Sequence, residues 1–134
     1  MIVRSKANTI LNDIFSKNYY IGLSTTTPTE EGSNFKEPTA TEYKRVKLSV
    51  MGTAGNPYSG QIQNDDIIFF PEAITSWGTI THFGIFTSLT ASSAPTPIYW
   101  GKLNAENGVT IAAEYVPIFR AGALKIGLDK DVLE

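Results

Sequence analysis

The chain is predicted to be mainly β: an antiparallel β-sandwich of about seven to eight strands with one N-terminal helix. Three observations predict this. Only one stretch carries the apolar period of a helix. The rest consists of short apolar or alternating runs at roughly 8 to 15 residue spacing, the pattern of sandwiches and barrels. No second helical pattern is present that could cross over between parallel strands.

The helix is expected over about residues 5–17. Ala7, Ile10, Leu11, Ile14 and Phe15 follow the i, i+3, i+4, i+7, i+8 spacing of one face. Ser5 is the expected N-cap and Asn18 the expected stop. A helix this short is unstable alone, so its apolar face must pack on something.

Strands are expected next at Tyr19 to Ser24 and at Tyr43 to Val50, where polar and apolar residues alternate. Further runs are Asp66 to Phe70, Ile80 to Ser88, Ile98 to Leu103, Val109 to Phe119 (bent at Pro117), and Leu124 to Leu128. Turn signals separate them: Gly52 to Gly60, Ala91 to Pro97, and Asn107-Gly108, which matches a type I′ hairpin turn. The segment Thr25 to Thr41 is Thr-rich, poor in apolar residues and longer than the usual limit of about 12 to 15 residues. It is either a mobile surface loop or an interface or ligand loop. One domain is expected over 1–134, with no internal repeat. Leu133-Glu134 matches the junction that precedes a C-terminal tag and is left out of the fold argument.

Composition excludes several function classes. The 134 residues carry 11 basic and 13 acidic side chains, a formal charge of −2. Nucleic-acid binding needs a concentrated basic patch. Lys44, Arg45 and Lys47 are the one local cluster, and an alternating strand divides them between two faces. No apolar run reaches the roughly 18 to 20 residues of a membrane span. With 42% hydrophobic and 11% aromatic residues, the chain is not of disordered composition. Zero Cys removes disulfides, thiolate metal sites and thiol nucleophiles.

Catalytic patterns are equally scarce. His82 is the single imidazole, and no nucleophile motif accompanies it. Asp65, Asp66 and Glu72 lie close in sequence, but no spacing selects an acid–base pair. Gln63 to Asp66 could contribute oxygens to calcium, yet there is no EF-hand pattern. No phosphate-binding glycine motif occurs. No cofactor and no metal is therefore expected. In Trp77-Gly78 the Gly suits an unusual φ at a strand entry. Gly84 leaves room for a large neighbour such as Trp100, and Gly101 repeats the arrangement. Trp77, His82, Phe83 and Trp100 are accordingly expected to form one buried polar-aromatic cluster.

Several ordered blocks carry a family resemblance. They are N-x-I-L-N-x-I-F (Asn8 to Phe15), Y-I-G-L-S-T-T-T-P-T (Tyr20 to Thr29), an acidic-Gly loop, and E-Y-K-R-V (Glu42 to Val46). I-F-F-P-E-A (Ile68 to Ala73) and the most specific block, S-W-G-T-I-T-H-F-G-I-F (Ser76 to Phe86), follow. Y-W-G-K-L (Tyr99 to Leu103) and F-R-A-G-A-L-K-I (Phe119 to Ile126) complete the series. Together they resemble small bacteriophage and prophage structural proteins, described as tail-fibre or head-fibre-like virion proteins, over roughly Ala7 to Asp129. The segment Thr87 to Pro97 departs from the pattern, being longer and lacking Gly where an Asp-x-x-x-Gly-Gly turn is expected.

The resemblance implies a non-enzymatic virion component, made in the bacterial host cytoplasm, that assembles with other virion proteins and forms a homo-oligomer. No nucleic acid and no membrane insertion are expected. The helix, the Thr25 to Thr41 loop and the Ala91 to Pro97 loop are the expected contact elements. Ile10, Ile14, Thr27, Phe35 and Tyr58 are the candidate interface residues. The alternative function is a carbohydrate-binding module for a host surface glycan. It would need a flat, solvent-facing ring, and Tyr58 in its Gly/Pro turn is best placed to supply one.

Overall fold

The computed structural model describes residues 3–14, 17–48, 51–52, 61–93 and 95–127. The mainly β, antiparallel sandwich class is the class observed, with one short helix and no closed barrel. The strands are shorter and more numerous than the sequence predicts. The chain divides into two compact units, each discontinuous in sequence.

The first unit comprises residues 1–18, 48–68 and 119–134. Helix α1 spans Arg4–Ile14. It begins before Ser5, so that residue is not the N-cap; the Ser5 carbonyl instead accepts the Thr9 hydroxyl. Leu11 is buried, as the apolar face requires. The helix packs on β4 (Gln61–Asn64), the centre of a three-stranded antiparallel sheet with β3 (Met51–Gly52) and β11 (Lys125–Gly127). Ile126 lies opposite Ile62, and both are buried. Strand β4 is missing from the sequence prediction because Ile62 is its one apolar residue.

Its last residue, Asn64, is buried and fully used. Its Nδ2 donates to the carbonyls of Asp66 (2.8 Å) and Arg120 (2.9 Å), and its Oδ1 accepts the Leu124 amide at 2.9 Å. One carboxamide thus satisfies the backbone of two turns that no ladder serves. Asp65 and Asp66 beside it are exposed.

The second unit comprises residues 19–47 and 69–118. Its centre is a four-stranded antiparallel sheet in the order β2-β1-β7-β8: Val46–Lys47, Tyr20–Ser24, His82–Phe86 and Tyr99–Lys102. The register places Ile21 opposite Ile85 and Leu23 opposite Phe83. All five residues of β7 are buried, so it is covered on both faces and does not alternate. The predicted strand from Ile80 to Ser88 is broken at Thr81. Residues Gly78–Ile80 form β6 instead, which pairs with β9 (Val109–Ile111). Thr81 is the corner where the chain changes sheets. Its amide still donates to the Ser24 carbonyl, and its carbonyl accepts the Leu103 amide. Gly78 sits at φ 83°, the left-handed value for which Gly is suited.

Two further expectations are corrected. The Val109 to Phe119 run is not one bent strand. It forms β9 and then β10 (Ile118–Phe119), which pairs with β5 (Ile68–Phe69). Between them the Tyr115 amide closes a turn onto the Ala112 carbonyl, with Glu114 at φ 75°. A Glu in that conformation carries no sequence signal, since Gly or Asn is the usual occupant. Asn107-Gly108 is not a type I′ hairpin turn either. Only Gly108 has positive φ, and the strands on either side, β8 and β9, pair with different partners. The expected turn at Gly52 to Gly60 lies outside the described residues except for Gly52, which ends β3.

Candidate functional site

Of the four residues expected in one polar-aromatic cluster, His82 and Trp100 meet, while Phe83 and Trp77 pack against other rings of the second unit. His82 is buried and meets Trp100 edge-on, with ring centroids 5.5 Å apart. Its Nδ1 shares a hydrogen bond with the Thr81 hydroxyl at 2.8 Å. Burial, and then the ammonium of Lys102 opposite in the ladder, push its pKa below the usual imidazole value. Phe83 points to the other face of β7. There it lies over Gly101, its ladder partner, and beside Tyr99. A Cβ at position 101 would come within 2.8 Å of that ring, so the small-beside-large pairing is a real constraint. Trp77 packs elsewhere, edge-on to Tyr43 at 5.3 Å. Trp100 is not what fills the space at Gly84. The Phe35 ring does, at 2.7 Å from where a Cβ would stand.

Phe35 belongs to the long loop after β1. A series of bonds holds that loop to the sheet. The Thr25 amide donates to the Lys36 carbonyl, and Ser24 Oγ accepts the amides of Thr26 and Lys36. The Trp100 indole donates to the Thr29 carbonyl at 2.9 Å. Phe35 also meets Phe86 edge-on at 5.1 Å. The same loop supplies one half of an ion pair, the half-buried Glu37 with the buried Arg45 at 2.8 Å. Arg45 further donates to the Ser88 carbonyl at 3.0 Å and stacks on the Phe86 ring. The Tyr43 hydroxyl donates to Glu37 and accepts the Leu23 amide. Burial, together with the Glu37 carboxylate, pushes the Tyr43 pKa well above its ordinary value. The basic triplet read from sequence is thus divided: Arg45 is buried and paired, while Lys44 and Lys47 are exposed.

A second carboxylate is equally committed. Glu42 accepts the Trp77 indole N–H at 2.9 Å and the amides of Ile74 at 2.8 Å and Thr75 at 3.1 Å. These donors hold its pKa down to about 2, the indole contributing most. It ties the loop to the corner before β6.

Beyond this corner the surface changes character. The amides of Phe70, Ala73 and Glu114 donate to the carbonyls of Pro117, Tyr115 and Ala73, joining residues 69–74 and 114–118 into a ribbon. On it Ile74 is 71% exposed, Phe69 59% and Tyr115 57%, with Val116 and Ile118 also exposed. Glu72 and Glu114 are exposed beside them. Among the described residues, this is where large apolar side chains most concentrate at the surface.

Of the candidate interface residues, Ile10 and Ile14 belong to α1 in the first unit, and Thr27 and Phe35 to the long loop of the second. Thr27 is exposed, its carbonyl accepting Asn34 Nδ2. Ile10 is half-buried on α1. The backbone of Ile14 ends that helix, and its side chain lies outside the described residues, as does all of Tyr58. Of the Ala91 to Pro97 loop, Ala94 is not described; Pro97 packs against Gly32 and Gly84. Among the described residues no group of three His, Asp or Glu side chains could hold a metal ion, and no helix is long and apolar enough to cross a membrane.

The sequence model of one family, the podophage GP4 fiber I protein gp80, matches residues 4–127. The chain belongs to this family. No curated protein sequence matches it. The match spans α1 and all eleven strands, so the phage-fibre assignment covers both units and not one motif. Sequence reasoning missed the residues that organise the fibre protein's second unit, Glu37, Glu42 and Arg45, and of the exposed ribbon it marks only the adjacent Phe69 and Phe70. An E-x-x-x-x-E-Y-x-R run was visible (Glu37 to Arg45), but nothing in its spacing says that Arg45 turns inward. The Ile-Phe-Phe run was visible too, and with adjacent Phe one ring must face outward.

Proposed function

We propose that this chain is a non-enzymatic structural subunit of a phage or prophage virion, acting by protein–protein assembly within a fibre. The observation that carries the reading is the fibre-family match over residues 4–127. The site chemistry supports it. Glu37 and Glu42 are spent on donors of this same chain, and His82 is packed between Thr81 and Trp100. All three are engaged with groups of this same chain. The exposed rings point the same way. Phe69 and Tyr115 stand with Ile74, Val116 and Ile118, a setting suited to the apolar centre of a protein contact.

Its partners are then other virion proteins and further copies of itself. The subunit is made in the bacterial host cytoplasm and ends in the particle. Mass spectrometry of purified virions, or of particles from an induced host culture, tests this. Peptides from this chain at several copies per particle are expected. Abundance in the lysate with absence from particles would overturn the assignment, and glycan-array binding by the free protein would become the competing account.

A further inference from the structure

We propose that the 69–74/114–118 ribbon is the docking surface for a second copy of this chain, which presents its cationic β2 edge. The inference rests on the assembly reading above and names the partner of that surface. Half of the large apolar side chains exposed among the described residues fall on this one ribbon. Its rim is acidic: Glu72 and Glu114 are exposed, the segments 69–74 and 114–118 contain no Lys or Arg, and neither Glu has an ion pair among the described residues. An apolar centre with a charged rim is the anatomy of a protein contact.

The complementary surface is on the same unit. Strand β2 is the outer strand of the four-stranded sheet, so among the described residues one of its sides has no strand beside it. Lys47 on this strand and Lys44 two residues before it are exposed, again without an ion pair among the described residues. Lysines on an edge discourage indiscriminate strand pairing. They do not discourage an acidic partner, which makes the charge pair a selector as well as an attraction.

The two patches differ, so the contact is heterologous. Repetition of such a contact closes a ring or extends a filament. Five half-exposed side chains supply an apolar area on the order of a few hundred Å², less than the roughly 800 Å² per partner of a standard interface. The rim charges must therefore carry part of the affinity, and salt must weaken the association.

Sedimentation of the full chain over a concentration series, at low and high salt, tests the proposal. Reversible self-association that weakens with salt is expected. Phe69→Ser should weaken it about tenfold or more, the loss of one anchor residue. Glu72→Lys with Glu114→Lys should weaken it comparably, and adding Lys44→Glu with Lys47→Glu should restore it. Circular-dichroism melts check that each variant is folded. Because the charge-reversal pair and its rescue lie at exposed positions, the test survives if Phe69→Ser misfolds. A monomer at every concentration, an association that neither change weakens, or a charge swap that fails to restore would each overturn the proposal. If ribbon variants stay monomeric like the parent yet lose their place in virions, a different virion protein occupies the ribbon. The proposal then fails while the assembly reading stands. Self-association through the ribbon by a chain absent from particles would sink the assembly reading and leave the ribbon contact intact.

Discussion

Phe35 and Phe69 are the same residue type in two settings of the same unit. Phe35 lies over Gly84 and meets Phe86, on a loop whose Lys36 amide donates to Ser24 Oγ of β1 and whose Glu37 carboxylate pairs with Arg45. Phe69 stands mostly in solvent, on a ribbon whose acidic neighbours have no ion pair among the described residues. The long loop is closed on itself and the ribbon is open. A long polar loop invites the expectation of function, whereas a short apolar run invites the expectation of core. Here the side-chain bonding reverses both. The difference teaches that a segment's satisfied donors and acceptors, and not its length or polarity, indicate whether it is finished as structure.

The largest effect is expected at the loop. Glu37→Ala leaves the Arg45 guanidinium buried without its carboxylate and takes the acceptor from Tyr43. A loss of about 3 kcal/mol is expected, measured by denaturant unfolding. A loss under about 0.5 kcal/mol would mean that the loop is ordinary exposed surface. Phe35→Ala should cost about 2 kcal/mol, less than a fully buried ring because Phe35 is half-buried. With the Phe35 ring gone, Gly84→Ala should cost less than it does in the parent, the Pro97 Cβ at 3.1 Å remaining as the close neighbour.

The Glu42 carboxylate gives a pH test. Its folded pKa, about 2, lies below the ordinary 4.5, so the carboxylate form is the one the fold favours. The stability it contributes is complete above about pH 4.5 and is lost as pH falls toward 2. Acid titration of the unfolding midpoint should show this loss in the parent, and Glu42→Gln should flatten that limb of the curve. An unchanged limb would remove Glu42 from the set of groups that hold the corner. The smallest expected effect is on the ribbon. Ile118→Ser, at an exposed position, should change stability by no more than about 0.5 kcal/mol.

Much of the fold was legible because it rests on local pattern. Ile10, Leu11 and the rest of that face marked the helix, and the run from Tyr20 to Ser24 marked β1. Strand β4 was illegible because Gln61, Gln63 and Asn64 are polar, and the buried Asn64 is satisfied by a carbonyl 56 residues away, that of Arg120, and an amide 60 residues away, that of Leu124. The break at Thr81 was illegible because β-branched residues run through it unchanged, and only the partner strands differ. Of the aromatic cluster, proximity of His82 and Trp100 could be read from two adjacent strands. Trp77 could not be placed, since its partner Glu42 lies 35 residues earlier with no strand pairing between them.

One paired measurement tests the central claim, that the loop is internal structure and the ribbon is contact surface. Glu37→Ala and Phe69→Ser would each be introduced into the virion-encoded chain, and two quantities read for each: melting temperature of the purified protein, and copies per particle by mass spectrometry. The account predicts that Glu37→Ala lowers the melting temperature well below the parent's. It predicts that Phe69→Ser melts like the parent but is depleted from particles. A Phe69→Ser chain incorporated at parental copy number, alongside a Glu37→Ala chain that melts like the parent, would contradict it.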